Sequence, residues 1–284
     1  MPRGRLVQRP GAVARVAVGG GVTRETGLTI LGGWRLGRIA GIPIQLDLTW
    51  FAGLAVFVAI SHSIWSPDAT GAGALALSVV FTCVFFASVL AHELAHALVA
   101  RALGVPTVEI TLFVFGGVAR IAEEPPDAGG EALMAMAGPL TSVTLAGLLL
   151  LGANLTGGWP SDLLGLLGIS NLVVAGFNLL PGFPLDGGRV ARAIIWRLSG
   201  RRRLATRLTA WGGRILAALL FAGGAVAIIW QHSPRYLLHM VLGMFLWRAA
   251  GQGERASAAA SAGTPVAPTG DQSESEADAE AGAP

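Results

Sequence analysis

The sequence predicts an all-α polytopic membrane protein with about six transmembrane helices and a small membrane-associated β-hairpin. Three observations predict it. Of the 284 residues, 53% are hydrophobic and only 13% charged, and the mean hydropathy is +0.62, too apolar for an ordinary soluble domain. The apolar residues gather in runs that approach the roughly 20 a helix needs to cross a bilayer. All 20 basic residues are arginine and cluster at the ends of those runs, where membrane orientation is set. A pI near 10.3 therefore reads as topology rather than as affinity for nucleic acid, and the lipid bilayer is the expected partner.

Residues 1–28 carry Gly, Arg and Val without sustained periodicity. They read as a disordered Arg/Gly-rich arm, without the apolar core of a removable signal peptide. Residues 29–250 are expected to form a six-helix membrane domain. Leu36 to Asp47, "LGRIAGIPIQLD", alternates weakly around Pro43 and suggests a short strand or an extended entry to the membrane. Spans follow at about Leu48 to Trp65 and Ala74 to Leu103. Pro106 stops the second, and Thr107 to Ile121, "TVEITLFVFGGVARI", has the β-branched and aromatic content of strands with a break at Gly116-Gly117, a hairpin candidate.

The third span, about Glu131 to Ala153, includes Gly138-Pro139, tolerable where neighbours satisfy the freed backbone groups. A fourth runs from about Leu163 to Leu180. A short amphipathic helix with Arg189, Arg192 and Arg197 follows, then a cluster of Arg201, Arg202, Arg203 and Arg207, then spans at about Ile215 to Trp230 and Tyr236 to Trp247. Residues 251–284 turn to Ala, Ser, Gly and Pro with scattered acids and read as a disordered acidic tail. With a cytoplasmic N-terminus, six spans leave only Arg235 outside. The expected location is thus the cell membrane, multi-pass, with both termini cytoplasmic. Cys83 stands alone in an apolar run and forms no internal disulfide.

The second span carries the chemistry. His92-Glu93-Leu94-Ala95-His96 is an HExxH sequence. On a helix, residues four apart share a face, close enough for both imidazoles to hold one zinc ion. Glu93 then projects beside the metal, where it can take a proton from the attacking water and pass it to the leaving amine. The bland alternative is a set of polar residues snorkelling at a helix end. Arg101 and Pro106 mark the cytoplasmic boundary, so His92 lies about nine residues, roughly 13 Å, inside the membrane, too deep for that.

A catalytic zinc usually takes three protein ligands. Asp162 and His62 fall at the outer surface, and His239 lies only a few residues in from it. Asp186 is on the cytoplasmic half, in "PGFPLDGG", where prolines break the helix and glycines let the backbone turn. It is the preferred third ligand, although such a turn can also be a simple Asx-type connection.

HELAH in an apolar helix, followed by "FNLLPGFPLDGGRV", resembles the site-2 protease family of intramembrane zinc metalloproteases. The resemblance runs from about Gly33 to Leu198 and takes in "GWRLGRIAGIPI", "LFVFGGVARI" and "AMAGPLTSV". It implies one Zn2+ per chain held by His92, His96 and Asp186, with Glu93 as general base and hydrolysis of peptide bonds in or near the membrane. It also implies a substrate-positioning role for Asn178 and Pro181, to which the hairpin glycines Gly116 and Gly117 are added as candidates. The implied partner is a single-span membrane protein, such as an anti-sigma factor, cut during regulated intramembrane proteolysis. The loop from about Gly104 to Gly130 is too short for the PDZ domain some relatives carry, and an acidic tail stands where others have CBS modules.

Two other classes bury the same residue types. A zinc or proton transporter needs polar stations at several depths, whereas here they gather at one. A noncatalytic adaptor has no use for Glu93. Oligomeric state is not legible in the sequence.

Overall fold

The computed structural model describes residues 33–65, 71–114, 116–121, 125, 127–233 and 236–262. The expected arm at residues 1–28, Arg235, and residues 263–284 of the expected tail lie outside them. Strands β1 (Trp34–Ile39) and β2 (Ile42–Leu46) come first, then helices α1 (Leu48–Trp65) and α2 (Ala72–Ala102). Strands β3 (Thr107–Phe113) and β4 (Gly116–Ile121) follow. The rest is helical: α3 (Ala128–Leu155), α4 (Trp159–Asn178), α5 (Asp186–Ser199), α6 (Arg202–Gln231) and α7 (Leu237–Ala262).

The expected hairpin, β3 with β4, is half of a four-stranded sheet in the order β1-β2-β3-β4. The other half comes from the weakly alternating stretch at 36–47. Ala40 and Gly41, at φ of 50° and 81°, make the two-residue reversal whose twist suits antiparallel strands. β2 then runs parallel to β3, with Ile44 opposite Ile110 and Leu46 opposite Leu112. A parallel pair needs a long crossover, and α1 and α2 provide it.

The period of two in "IPIQL" turns Ile42, Ile44 and Leu46 inward. Ile42, Ile44 and Ile110 pack on Ala97 of α2, beside Leu90 and Leu94. At the sheet's tip, Arg101 donates to the Ala40 carbonyl at 2.6 Å. Asp47 caps α1 by accepting from the Thr49 N–H at 2.9 Å and its hydroxyl at 2.6 Å. The sheet is thus fastened along one flank of α2.

Among the described residues five helices, α1, α2, α3, α4 and α6, are long and apolar enough to cross a membrane. Their outward residues include Leu148, Leu155, Leu219, Ile229 and Trp230, all exposed, as a lipid-facing surface requires. α7 covers the expected sixth span but is not among these five. Its apolar part ends near Trp247, about 16 Å of helix at 1.5 Å per residue, half of what a bilayer requires. It then continues to Ala262, so residues 251–262 of the expected disordered tail are helical. The Ala-rich "RASAAASA" favours that continuation. α6 likewise starts at Arg202 rather than near Ile215. Arg, Leu and Ala are good helix formers, so the cluster read as a connection makes the first turns of the helix.

Candidate functional site

His92 and His96 lie one turn apart on the buried face of α2, each 3% exposed, with ring centroids 4.9 Å apart. α3 packs against them with a row of residues at spacing four, Met134, Gly138 and Ser142, which places all three on one face. The His96 Nδ1 sits 2.6 Å from the Met134 carbonyl oxygen. A carbonyl only accepts, so that nitrogen carries the hydrogen, and in the neutral ring Nε2 is left with a free lone pair. The His92 Nδ1 sits 2.9 Å from the Ser142 hydroxyl, which can play either role.

Between them stands Gly138. A Cβ there would overlap the Nε2 atoms of both histidines, so the missing side chain is what gives the two donors their common space. Pro139, the next residue, is inside α3 and supplies no N–H to the helix. Gly138, from the Gly-Pro pair expected only to be tolerated in the membrane, is therefore part of the site wall.

Asp186 reaches the same space from a different element. It is the first residue of α5, with Leu185 at the cap position, rather than a residue within a turn. Its Oδ2 lies 3.2 Å from the Nε2 of His92 and 3.2 Å from the Nε2 of His96. The segment before it is held by backbone contacts. The Phe183 N–H donates to the Thr209 carbonyl of α6 at 3.0 Å. Cβ atoms at Gly187, Gly188 or Gly213 would run into the backbone of Leu179, Gly182 and Phe183 respectively. Close backbone packing of this kind is open only to glycine.

The ligand atoms of His92, His96 and Asp186 all lie within 4.8 Å of one another. Two imidazole nitrogens and one carboxylate oxygen, around a hollow kept clear by Gly138, fit a zinc ion with a fourth position open. Among the described residues this is the group that could hold a metal, and neither Asp162, His62 nor His239 belongs to it.

Glu93 sits on the sheet side of α2. Its Oε2 accepts from the Ala119 N–H of β4 at 3.2 Å. A Cβ on Gly117 would come within 2.5 Å of the Glu93 Cγ, so β4 can lie this close only with glycine there. Gly116, at φ of 136°, turns the chain into β4 beside Val89. The Asn178 amide nitrogen donates to the Val174 carbonyl of its own helix at 3.0 Å. Pro181 is exposed, and its carbonyl faces Gly212 of α6. Sequence reasoning missed Met134, Gly138 and Ser142 as site-forming residues. The four-residue spacing of a glycine and a serine in an apolar span was the available signal.

Comparison with known proteins agrees with this geometry. The model of peptidase family M50 matches residues 80–158 and 153–223, which hold all three candidate ligands. A Synechocystis protein whose name assigns it to the zinc metalloproteases is 34% identical over 226 residues, 78% of this chain and 59% of that protein. A zinc metalloprotease of Methanocaldococcus jannaschii is 35% identical over 202 residues, 68% of this chain and 54% of the relative. The chain thus spans a little over half the length of these curated relatives. The solved site-2 protease from Methanocaldococcus jannaschii matches with a TM-score of 0.59 at 32% identity, covering 79% of this chain and 96% of that one. A helical membrane chain that carries both separated motifs and matches over this span belongs to peptidase family M50, the family of the site-2 proteases.

Proposed function

We propose that the chain is an intramembrane zinc metalloendopeptidase that hydrolyses peptide bonds in or near the transmembrane segments of membrane-tethered proteins. The observation that carries this reading is the convergence of the His92 and His96 Nε2 atoms on one Asp186 oxygen, 3.2 Å from each, with Glu93 one residue along the same helix. Zinc, when bound by these three residues, supplies Lewis acidity at the scissile carbonyl and an acidified water. The protein groups do the rest. The Met134 carbonyl fixes the His96 tautomer, Ser142 orients His92, and Gly138 keeps the hollow open. Glu93 takes the proton from the attacking water and returns it to the departing amine.

A helical substrate hides its peptide bonds, so it has to be unwound before it is cut. β4 ends the sheet order, and its Ala119 N–H points to Glu93. An extended segment paired along that edge would lie beside the general base. Pro at β4 positions other than Ala119, whose N–H already serves Glu93, removes N–H groups from that edge, a change edge strands tolerate. Zinc content should be kept and cleavage lost; normal turnover would exclude the pairing.

The proposed substrate is a single-span membrane regulator of the anti-sigma type, and the proposed topology, which keeps both termini in the cytoplasm, requires the 26-residue α7 to make a sixth crossing after the five long apolar helices. The membrane domain would occupy residues 29–250, with an arm before it and an acidic tail after it. Glu93→Gln tests the central claim. Purified with wild type and assayed on single-span substrates, it should bind equal zinc and show no cleavage. Cleavage at the wild-type rate would remove Glu93 from the mechanism, and a wild type without proteolytic activity would favour a transporter or an adaptor.

A further inference from the structure

Seven residues before Gly138 on α3 lies Glu131, 0% exposed. Its Oε1 accepts from the Nε of Arg192 at 2.5 Å and pairs with Nη2 of the same guanidinium. Arg192, on α5, is 7% exposed, and its guanidinium carbon stands 5.0 Å over the Phe183 ring. The chemistry described above makes no use of this buried charge pair. It joins the helix that shapes the histidine side of the site to the helix that begins with Asp186.

The spacing of the two contacts is informative. On α3, Gly138 lies about 10.5 Å beyond Glu131, and on α5 Arg192 lies about 9 Å beyond Asp186, at 1.5 Å per residue. The offsets agree in length and run in opposite chain directions. Asp186 opposite Gly138 and Arg192 opposite Glu131 are therefore two rungs between the same two antiparallel helices. A buried ion pair adds little stability over apolar packing, but it discriminates strongly against displaced arrangements, because either charge left alone in the interior is costly. Sliding α5 by one turn would separate the pair and carry Asp186 about 5.4 Å from the histidines.

We infer that Glu131 and Arg192 are positioning residues for the metal site: their buried pair fixes the register of α5 on α3 and so holds the Asp186 carboxylate against His92 and His96. The inference rests on the assignment of those three residues as zinc ligands. Phe183, in the segment that leads into α5, stacks under the same guanidinium, so the pair also anchors the chain that delivers Asp186.

The test uses the full chain purified in detergent, with three variants: Glu131→Gln, which keeps shape and removes charge, Arg192→Lys, which keeps charge and removes the fork, and Asp186→Ala as the ligand control. Zinc affinity is read by competition with a chromophoric chelator, and coordination geometry by the visible absorption of the cobalt-substituted protein. Thermal unfolding is followed separately. Both positioning variants should keep their helix content and bind zinc about 10–100-fold more weakly, the range seen when groups that orient metal ligands are lost. Their cobalt bands should also shift. A fall in thermal midpoint with wild-type zinc affinity and an unchanged cobalt spectrum would reduce the pair to packing and overturn the inference. If Glu131→Gln does not fold, Arg192→Lys alone decides by the same readouts. Wild-type zinc affinity in Asp186→Ala would instead overturn the ligand assignment, and the inference with it.

Discussion

The two sides of the donor set are built in opposite ways. His92 and His96 need only a regular helix: spacing four brings them to one face of α2, and the adjoining face of α3 completes their surroundings at the same spacing. Asp186 needs a chain that leaves α4, doubles back against α6 with its backbone in direct contact, and enters α5 with the carboxylate on the first residue. The first side is fixed by periodicity. The second is fixed by backbone packed directly on backbone at Gly187, Gly188 and Gly213. Substitutions on the helical side should therefore remove the metal and spare the fold, whereas those on the turn side should weaken the fold and lose the metal as a consequence.

Gly138→Ala should have the largest effect on zinc. Its methyl group would fall on the Nε2 atoms of both histidines, and the rings can escape only by rotating out of the ligating arrangement. Bound zinc should drop to near zero by elemental analysis, with helix content and thermal midpoint close to wild type in the absence of metal. Zinc content near one per chain would show that α3 can move away from α2, and the rigid-wall view of this side would fail.

On the turn side, Gly187→Ala places a Cβ against the Leu179 and Leu180 carbonyls, which are backbone and cannot rotate away. Overpacking of this kind costs about 1–3 kcal/mol, visible as a lower midpoint of thermal unfolding without metal. Because binding to the folded state alone adds stability, zinc at 100 times its dissociation constant should return up to about 2.7 kcal/mol. Gly138→Ala should gain nothing from added zinc. A Gly187→Ala protein with wild-type stability, or one that zinc does not stabilise, would break the contrast.

The same contrast explains what could be read in the sequence. HELAH is a local pattern, and helix geometry alone turns it into a pair of facing imidazoles. Five of the six expected spans were legible as apolar runs. The terminal turns of α6 and α7 were not, because Arg-rich and Ala-rich segments are polar or small yet still good helix formers. The sheet was half visible: β3 and β4 carry strong β-branched content, while β1 and β2 became a hairpin through the reversal at Ala40 and Gly41. Asp186 was legible as a candidate by depth, and its place beside the histidines depends on packing between segments about ninety residues apart. The roles of Ser142 beside His92 and of Glu131 as partner of Arg192 were not legible, because only the meeting of α3 with α2 and α5 gives them partners.

The smallest effect belongs to Ser142→Ala, and it sharpens the comparison from within the helical side. His96 is held by a backbone carbonyl that no substitution can remove, and that carbonyl dictates which nitrogen carries the hydrogen. His92 is held by a hydroxyl, which donates or accepts equally well and so orients the ring without dictating its tautomer. Losing that hydroxyl should weaken zinc binding by about 10-fold, the lower end of the range for groups that orient metal ligands. Chelator competition measures the change, thermal midpoint should stay put, and Ser142→Thr should restore affinity by keeping the oxygen. If Ser142→Ala binds zinc as tightly as wild type, the His92 ring is oriented by helix packing alone. Beyond the two imidazoles themselves, the helical side would then depend only on packing and on Gly138, where the site needs the absence of a side chain.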